Sequence, residues 1–306
     1  VKHLSGNMLS RWTDFLTSDG EKEWRERDNE FKNEALNKEE LIKVWNKGPF
    51  VMNEFLMKKY RYFLKDSIRK TIDFSETDQS KGIPPPPIEK PYPQDAKRIN
   101  LISNEQWEHI ENIGLISAME RRKSRRNFLP EPLTLEELSF LLWATQGIRK
   151  RFDKSTALRI VPSAGARHAL ETYLCVFNVQ GLDTGFYRYL PVEHQVVFEF
   201  DEKNPSEKIS VATFGQSFIG EAAVAFIWAA IPYRMEWRYG LAAHRAIALD
   251  AGHVCQNLYL ACEAIGAGTC GIAAYNQEAM DQLLRIDGED EFTIYLAPVG
   301  KVSDSD

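Results

Sequence analysis

No stretch of this 306-residue sequence is apolar for long enough to cross a bilayer as a helix. The most apolar run, AAVAFIWAAIP at 222–232, falls short of the roughly 20 residues a spanning helix needs and suits a buried strand. No membrane association is expected. The N-terminal VKHLSGNMLSRW also lacks the apolar core of a secretory leader. Cysteine is sparse, with four residues (Cys175, Cys255, Cys262, Cys270) and no C-x-x-C pair. Cys255 and Cys262 fall on one side of an expected helix, where buried thiols are the ordinary outcome. The pattern predicts a reduced, cytoplasmic chain without structural disulfides. A surplus of positive charge is missing too: the net charge is −6, so a nucleic-acid partner would need a segregated basic face, and none is evident. There is no H-x-x-x-H, no paired Asp/Glu cluster, no G-x-S-x-G and no Walker A sequence. Metal, serine-hydrolase and P-loop chemistry have no support in the residues.

What is present is a mixed chain long enough for one large domain or two. Residues 1 to about 48 are charged and helix-forming, centred on GEKEWRERDNEFKNEALNKEELIKVW. GIPPPPIEKPYPQD at 82–95 follows. Consecutive prolines donate no backbone hydrogen bonds and favour an extended conformation, so this segment is a spacer or a strap across a surface. The expected organisation is a helical extension over 1–80, a proline-rich linker over 81–100 and one catalytic-size domain over 101–306.

Beyond residue 115, helix and strand patterns alternate. GLISAMERRKS reads as a short helix running into a cationic cluster. PLTLEELSFLLWATQGI reads as a helix with Thr134 as N-cap, Glu137 closing a capping box, an apolar stripe of Leu135, Leu138, Leu141 and Leu142, and Gly147 at its end. ETYLCVFNV at 171–179 and FTIYLAPVGK at 292–301 read as strands, and GFYRYLPVEHQVVFEF as a hairpin turning near Glu193–His194. Between them, AHRAIALDAGHVCQNLYLACEAIG predicts about 24 residues of helix. It is so poor in charge that protein must surround it, and a subunit interface is one natural setting. His244 and His253, nine apart, fall on different faces of it, and His253 beside Asp250 reads as a satisfied buried imidazole.

GAGTCG at 266–271 fits G-x-G-x-x-G. A dinucleotide-binding turn must follow a strand and open a helix, whereas this one ends a helix; Gly266 is better placed as the helix C-cap. The remaining feature is ERRKSRRNF at 120–128, with five cations in the six positions 121–126. It is a solvated helix face or a socket for a phosphate, to which guanidinium groups and a serine hydroxyl donate well.

Taken with PSAGARHALETYLCV (162–176), RYGLAAHRAIALDAGHVCQNLYLAC (238–262) and EAIGAGTCGIAAYN (263–276), that stretch resembles the FMN-dependent nitroreductase family. The ordered set covers about 115–303 and is most similar to the SagB-type branch, which includes dehydrogenases that oxidise thiazolines and oxazolines in peptides. The resemblance implies an α+β fold, a mostly antiparallel sheet flanked by helices, in an intertwined homodimer with FMN at the subunit interface. Separately, KHLSGNMLSRWTDFLTSDGEK resembles a fragment of a DinB-type helical bundle. That family often binds metal through three histidines, but His3 alone precedes His109 here, so no metal is expected. Met52 could have begun an ancestral stand-alone chain.

Carried over by position, the resemblance makes Arg122 and Ser124 phosphate contacts, with Lys123 assisting and Lys301 adding another. Arg126 takes the cation position at the pyrimidine side of the flavin, where positive charge stabilises the anionic reduced ring. Gln216 meets the pyrimidine edge. Gly271, Ile272 and Ala273 lie on the flavin face, small so that the main chain approaches closely, with the Ala273 N–H toward N5. Pro162, Ser163, Ala164 and Gly165 line the cofactor from the second subunit. Azoline-oxidising members carry a Lys-Tyr pair for acid–base chemistry; Arg238-Tyr239 stands there instead. Arginine cannot act as a base near neutral pH, which leaves Tyr239 to carry a proton. The implied reaction is ping-pong transfer from NADH or NADPH to a small organic acceptor such as a nitroaromatic or quinone. Azoline oxidation is the second reading, and a non-catalytic flavin-binding or interaction protein the third.

Overall fold

The computed structural model describes residues 56–58 and 60–303. The chain divides into two compact units, Val1–Lys65 and Asp66–Asp306. Most of the helical expectation for the N-terminal segment, Met52 included, lies outside the described residues. In the first unit Arg61–Leu64 forms a 3₁₀ turn. Asp66–Thr71 and Phe74–Glu76, expected to be helical, are 3₁₀ turns that belong to the second unit.

The second unit is built on a seven-stranded sheet of β1 (Arg98–Asn100), β4 (Leu170–Val176), β5 (Gly185–Leu190), β6 (Gln195–Phe200), β7 (Val224–Ala230), β8 (Ala267–Thr269) and β9 (Phe292–Lys301), in the order β1-β6-β5-β4-β7-β9-β8. Every ladder is antiparallel. A separate hairpin pairs β2 (Ile148–Arg151) with β3 (Ala157–Arg159). Strands β4 and β7 lie at the middle of the sheet and are buried at every position, which is why β7 reads as an unbroken apolar run rather than an alternating one. The two-residue period still sorts their side chains. Val224, Phe226, Trp228 and Ala230 enter one core, with Leu138, Leu141, Val254 and Leu258. Ala225, Ile227 and Ala229 enter the other, with Ile209, Met280 and Leu284.

Helices supply both covers. α1 (Leu115–Arg121), α2 (Leu135–Gln146), α3 (Pro205–Ala212), α4 (Tyr233–Tyr239), α5 (Ala243–Glu263) and α6 (Gln277–Leu284) follow in chain order. The capping box of α2 forms as expected: Glu137 N donates to Thr134 Oγ1 at 3.1 Å and Thr134 N to Glu137 Oε2 at 2.8 Å, an arrangement worth about 1 kcal/mol. The 193–194 turn joins β5 to β6, with His194 at φ 50°. At the end of α5 the C-cap is Ala264 rather than Gly266. Gly266, at φ 59°, bends the chain two residues later into β8, so GAGTCG runs into a short strand and does not open a helix as a nucleotide-binding turn would. Cys255 and Cys262 are buried thiols of α5. His253 is not buried: half its side chain is exposed, with its ring 3.9 Å from Asp250. Among the described residues, no helix is long and apolar enough to cross a membrane.

The proline-rich segment lies within the second unit and is a strap, and its chemistry dictates its partners. A run of prolines offers carbonyls and few N–H groups, so it is held mainly by donors. Trp237 Nε1 donates to Ile83 O at 2.8 Å, Arg159 Nη2 to Ile88 O at 2.7 Å, and Arg188 to Lys90 O at 2.9 Å and Pro91 O at 3.2 Å. In return Lys90 N donates to Glu171 Oε1 at 2.9 Å.

On this strap Glu89 accepts from Val192 N at 3.1 Å. Burial, with Glu193 and Glu171 adding to it, pushes the Glu89 carboxyl up to about 7. The folded chain therefore binds this proton more tightly than the unfolded one, and stability drains away as pH rises from the ordinary carboxylate range to about 7. Glu89→Gln should gain stability relative to wild type over that same interval. Parallel melting-temperature profiles from pH 5 to 8 would rule this out.

Candidate functional site

Arg122 is the C-cap of α1, its N–H closing the last turn on Ala118 O at 3.0 Å. The chain then runs extended beside β8: Ser124 bridges Thr269, and Arg125 N donates to Thr269 O at 2.9 Å. Docking fixes what each cation does. Arg121 turns back to Glu263 at 3.5 Å. The Arg122 guanidinium lies over the Tyr259 ring, 5.4 Å from its centroid, and Arg126 over Phe218 at 6.0 Å. Lys123, Ser124 and Arg126 are exposed, leaving a row of donors turned outward.

The turn after β8 meets this row at one residue. Tyr259, on α5, accepts the Gly271 N–H at 2.7 Å and hydrogen-bonds Ser124 Oγ at 3.0 Å through the same hydroxyl. Ile272 buries its side chain and bridges Leu296, its N–H donating to Leu296 O at 2.8 Å. Ala273 is exposed, and its N–H finds no acceptor among the described residues. Gln216 Nε2 donates to Ala274 O at 2.9 Å and Thr213 O at 2.8 Å, so this amide braces the turn. The glycine at 271 has a local reason. A Cβ there would fall on the Tyr295 hydroxyl and 3.0 Å from Cys255 Sγ, so packing from behind demands it.

A second group gathers near the other end of α5. In the turn Pro162–Gly165, Ser163 Oγ accepts from His168 N at 2.9 Å, and Ala164 N donates to Asp250 Oδ1 at 3.4 Å. Gly165 takes φ 59°, and a Cβ on it would lie 2.5 Å from Tyr239 Oη and 3.2 Å from Arg238 Cδ. This expected cofactor turn and the expected catalytic pair are thus one packed unit. The Arg238 guanidinium sits 5.5 Å over the Tyr239 ring. Burial holds His168 neutral, down at about 2, with Arg159, Arg167 and Arg234 reinforcing it. Burial also raises the Asp250 carboxyl.

Within one chain the two groups stay apart. Asp250 and Tyr259 are nine positions from each other on α5, about 14 Å along the axis. Lys301 joins neither group through its ammonium, which donates to Glu137 Oε1 at 2.5 Å and Ile265 O at 2.6 Å. Sequence reasoning missed Tyr259, Asp250 and Phe218. The one signal for Tyr259 was a lone phenol in an alanine-rich helix.

A family model described as the nitroreductase family matches residues 119–301. A model described only as a protein of unknown function (DUF1572) matches residues 1–76, where the DinB-type resemblance lay. Three relatives carry the description "putative nitroreductase". MJ1384 of Methanocaldococcus jannaschii is 35% identical over 196 residues, 64% of this chain and 95% of that protein. A crystal structure from Anabaena variabilis is 26% identical with a TM-score of 0.56, covering 69% of this chain and 42% of the other, so this chain spans less than half its length. One from Ralstonia eutropha is 25% identical at the same TM-score of 0.56, covering 72% and 99%.

Proposed function

The chain belongs to the nitroreductase family, and on that premise we propose an FMN-dependent oxidoreductase that passes electrons from NADH or NADPH to a small organic acceptor such as a nitroaromatic or quinone. The observation that carries this reading is the meeting of Arg122, Ser124 and Gly271 on Tyr259. It sets a row of outward donors beside a turn with an open backbone N–H. The donor set fits a phosphate monoester at one end and a flat, acceptor-edged ring at the other. FMN, when bound, supplies the hydride and single-electron chemistry.

The protein's own residues hold and orient. Arg122, Lys123 and Ser124 donate to the phosphate. Arg126, backed by Phe218, places a cation at the pyrimidine side, where negative charge grows on reduction. The Ala273 N–H offers a fixed donor on a turn that Gln216 and Leu296 keep rigid. Pro162–Gly165 would come from a second subunit, since its place in one chain is far from the phosphate row. α5 and the turn before it support such a homodimer: Leu241 and Leu249 are 59% and 55% exposed, with Ala248 and Gly252 also exposed, an apolar face that a second copy would cover. Donor and acceptor would then alternate at one open face in ping-pong order. Tyr239 is the group able to carry a proton there, in keeping with a SagB-type branch, and a cytoplasmic setting suits the nicotinamide donor.

Purified protein is expected to be yellow, to release FMN by mass, and to oxidise NADH or NADPH when a quinone is added. A colourless protein that takes up no added FMN would overturn the proposal.

A further inference from the structure

We propose that Tyr259 is a positioning residue that commits the Ser124 hydroxyl to donate outward, and so makes the chain prefer a flavin bearing a phosphate. The inference rests on the FMN reading above and deepens it. A phenol has one proton to give and an oxygen that accepts. Gly271 N–H already occupies the Tyr259 oxygen as acceptor from 2.7 Å, which favours the phenol as the donor to Ser124 Oγ at 3.0 Å. With that lone pair engaged, the serine proton turns away from the helix toward solvent, where the donors of Lys123 and Arg126 also face. A phosphate presents only acceptors. A serine whose proton was spent on the tyrosine would meet it with lone pairs, while one held as a donor adds a charge-assisted hydrogen bond.

The same ring carries the Arg122 guanidinium on its face, 5.4 Å from the centroid, which keeps the cation beside the serine without using its N–H edges. Three contacts from two separate segments therefore converge on one side chain. Through Gly271 the relay also reaches the turn bearing Ala273, so grip on the phosphate and placement of the ring turn share one hinge point.

Tyr259→Phe removes the hydroxyl and keeps the ring, its packing in α5 and the platform under Arg122. The test is the dissociation constant of each apoprotein for FMN and for riboflavin, which differ only in the phosphate. Wild type is expected to favour FMN strongly. Tyr259→Phe should weaken FMN binding by about 10- to 100-fold and riboflavin binding far less, so that the ratio collapses. Ser124→Ala should lose a similar part of the ratio, and the double variant little more than either single one, because one relay is being broken twice. A Tyr259→Phe chain with the wild-type FMN-to-riboflavin ratio, or losses that add in the double variant, would overturn the inference while leaving the FMN reading intact. Wild type that binds neither flavin would remove the reading beneath it.

Discussion

Glu171→Gln is expected to cost the fold about 3–5 kcal/mol at neutral pH, the range found when one partner of a buried ion pair is removed. Glu171 is 2% exposed on the central strand β4, and it receives Arg234 Nη2 at 2.5 Å, Arg188 Nη1 at 3.4 Å and the strap amide of Lys90 at 2.9 Å. Arg188 has a second carboxylate in Glu199 at 2.7 Å, whereas Arg234 depends on Glu171. An amide of the same shape keeps the volume and loses the charge, leaving buried guanidinium under-compensated. Since whole domains are stable by only about 5–15 kcal/mol, the effect is a large share of the total.

The pH dependence follows from the same neighbours. Burial pushes the Glu171 carboxyl up, but Arg234, Arg188 and Arg159 outweigh it and hold the group below its ordinary value. A depressed carboxyl stabilises the fold fully above the unfolded-state value and loses that contribution as pH falls through the folded one. Urea unfolding at pH 7 should show the full gap between wild type and variant, and the gap should shrink as pH falls below the ordinary carboxylate range. A gap under about 1 kcal/mol at pH 7 would mean that solvent reaches this cluster.

Arg122→Glu is expected to leave a folded protein that does not retain FMN. The lost charge-assisted hydrogen bond is worth about 1.5–3 kcal/mol, and a carboxylate in its place repels the phosphate. At 1.4 kcal/mol per decade, affinity should fall by roughly 100-fold or more. Folding should be little disturbed, because the contact given up inside the protein is a cation over the Tyr259 ring, worth about 0.5–1 kcal/mol where exposed. Arg122→Lys should fall between, keeping the charge but not the paired donors. Fluorescence titration of the apoproteins decides the matter, and an Arg122→Glu chain within threefold of wild type would take this residue out of the phosphate site.

Local features were legible in the sequence because their causes are local. The α2 capping box needs only Thr134 and Glu137, three residues apart. The apolar run that becomes β7 and the turn at His194 are likewise written in neighbours. The ionic cluster was not legible, because its members come from β3, β4, β5, α4 and the strap, with the bonds Arg234–Glu171, Arg159–Ile88 and Arg188–Lys90 spanning 63, 71 and 98 residues. Four prolines announce an extended segment, yet nothing in them says that arginines will hold it. A small residue was expected at Gly271 for approach to a ring, and packing gives a separate reason no local pattern holds: Tyr295 and Cys255 exclude a side chain there. Lys301 shows the reverse failure. It was expected to contact a phosphate, while at the end of β9 its ammonium is taken by Glu137 and Ile265, a competition that no motif reveals.

The two outermost strands of the sheet, β1 and β8, are three residues long each. Exposed margins of a sheet are templates on which other chains polymerise, and brevity and charge are the usual defences. Here β1 begins with an exposed arginine at position 98, and the cationic segment at Ser124–Arg125 lies along β8. This cationic segment therefore discourages fibre growth from that margin, and trading it for neutral, strand-forming residues would expose the chain to aggregation.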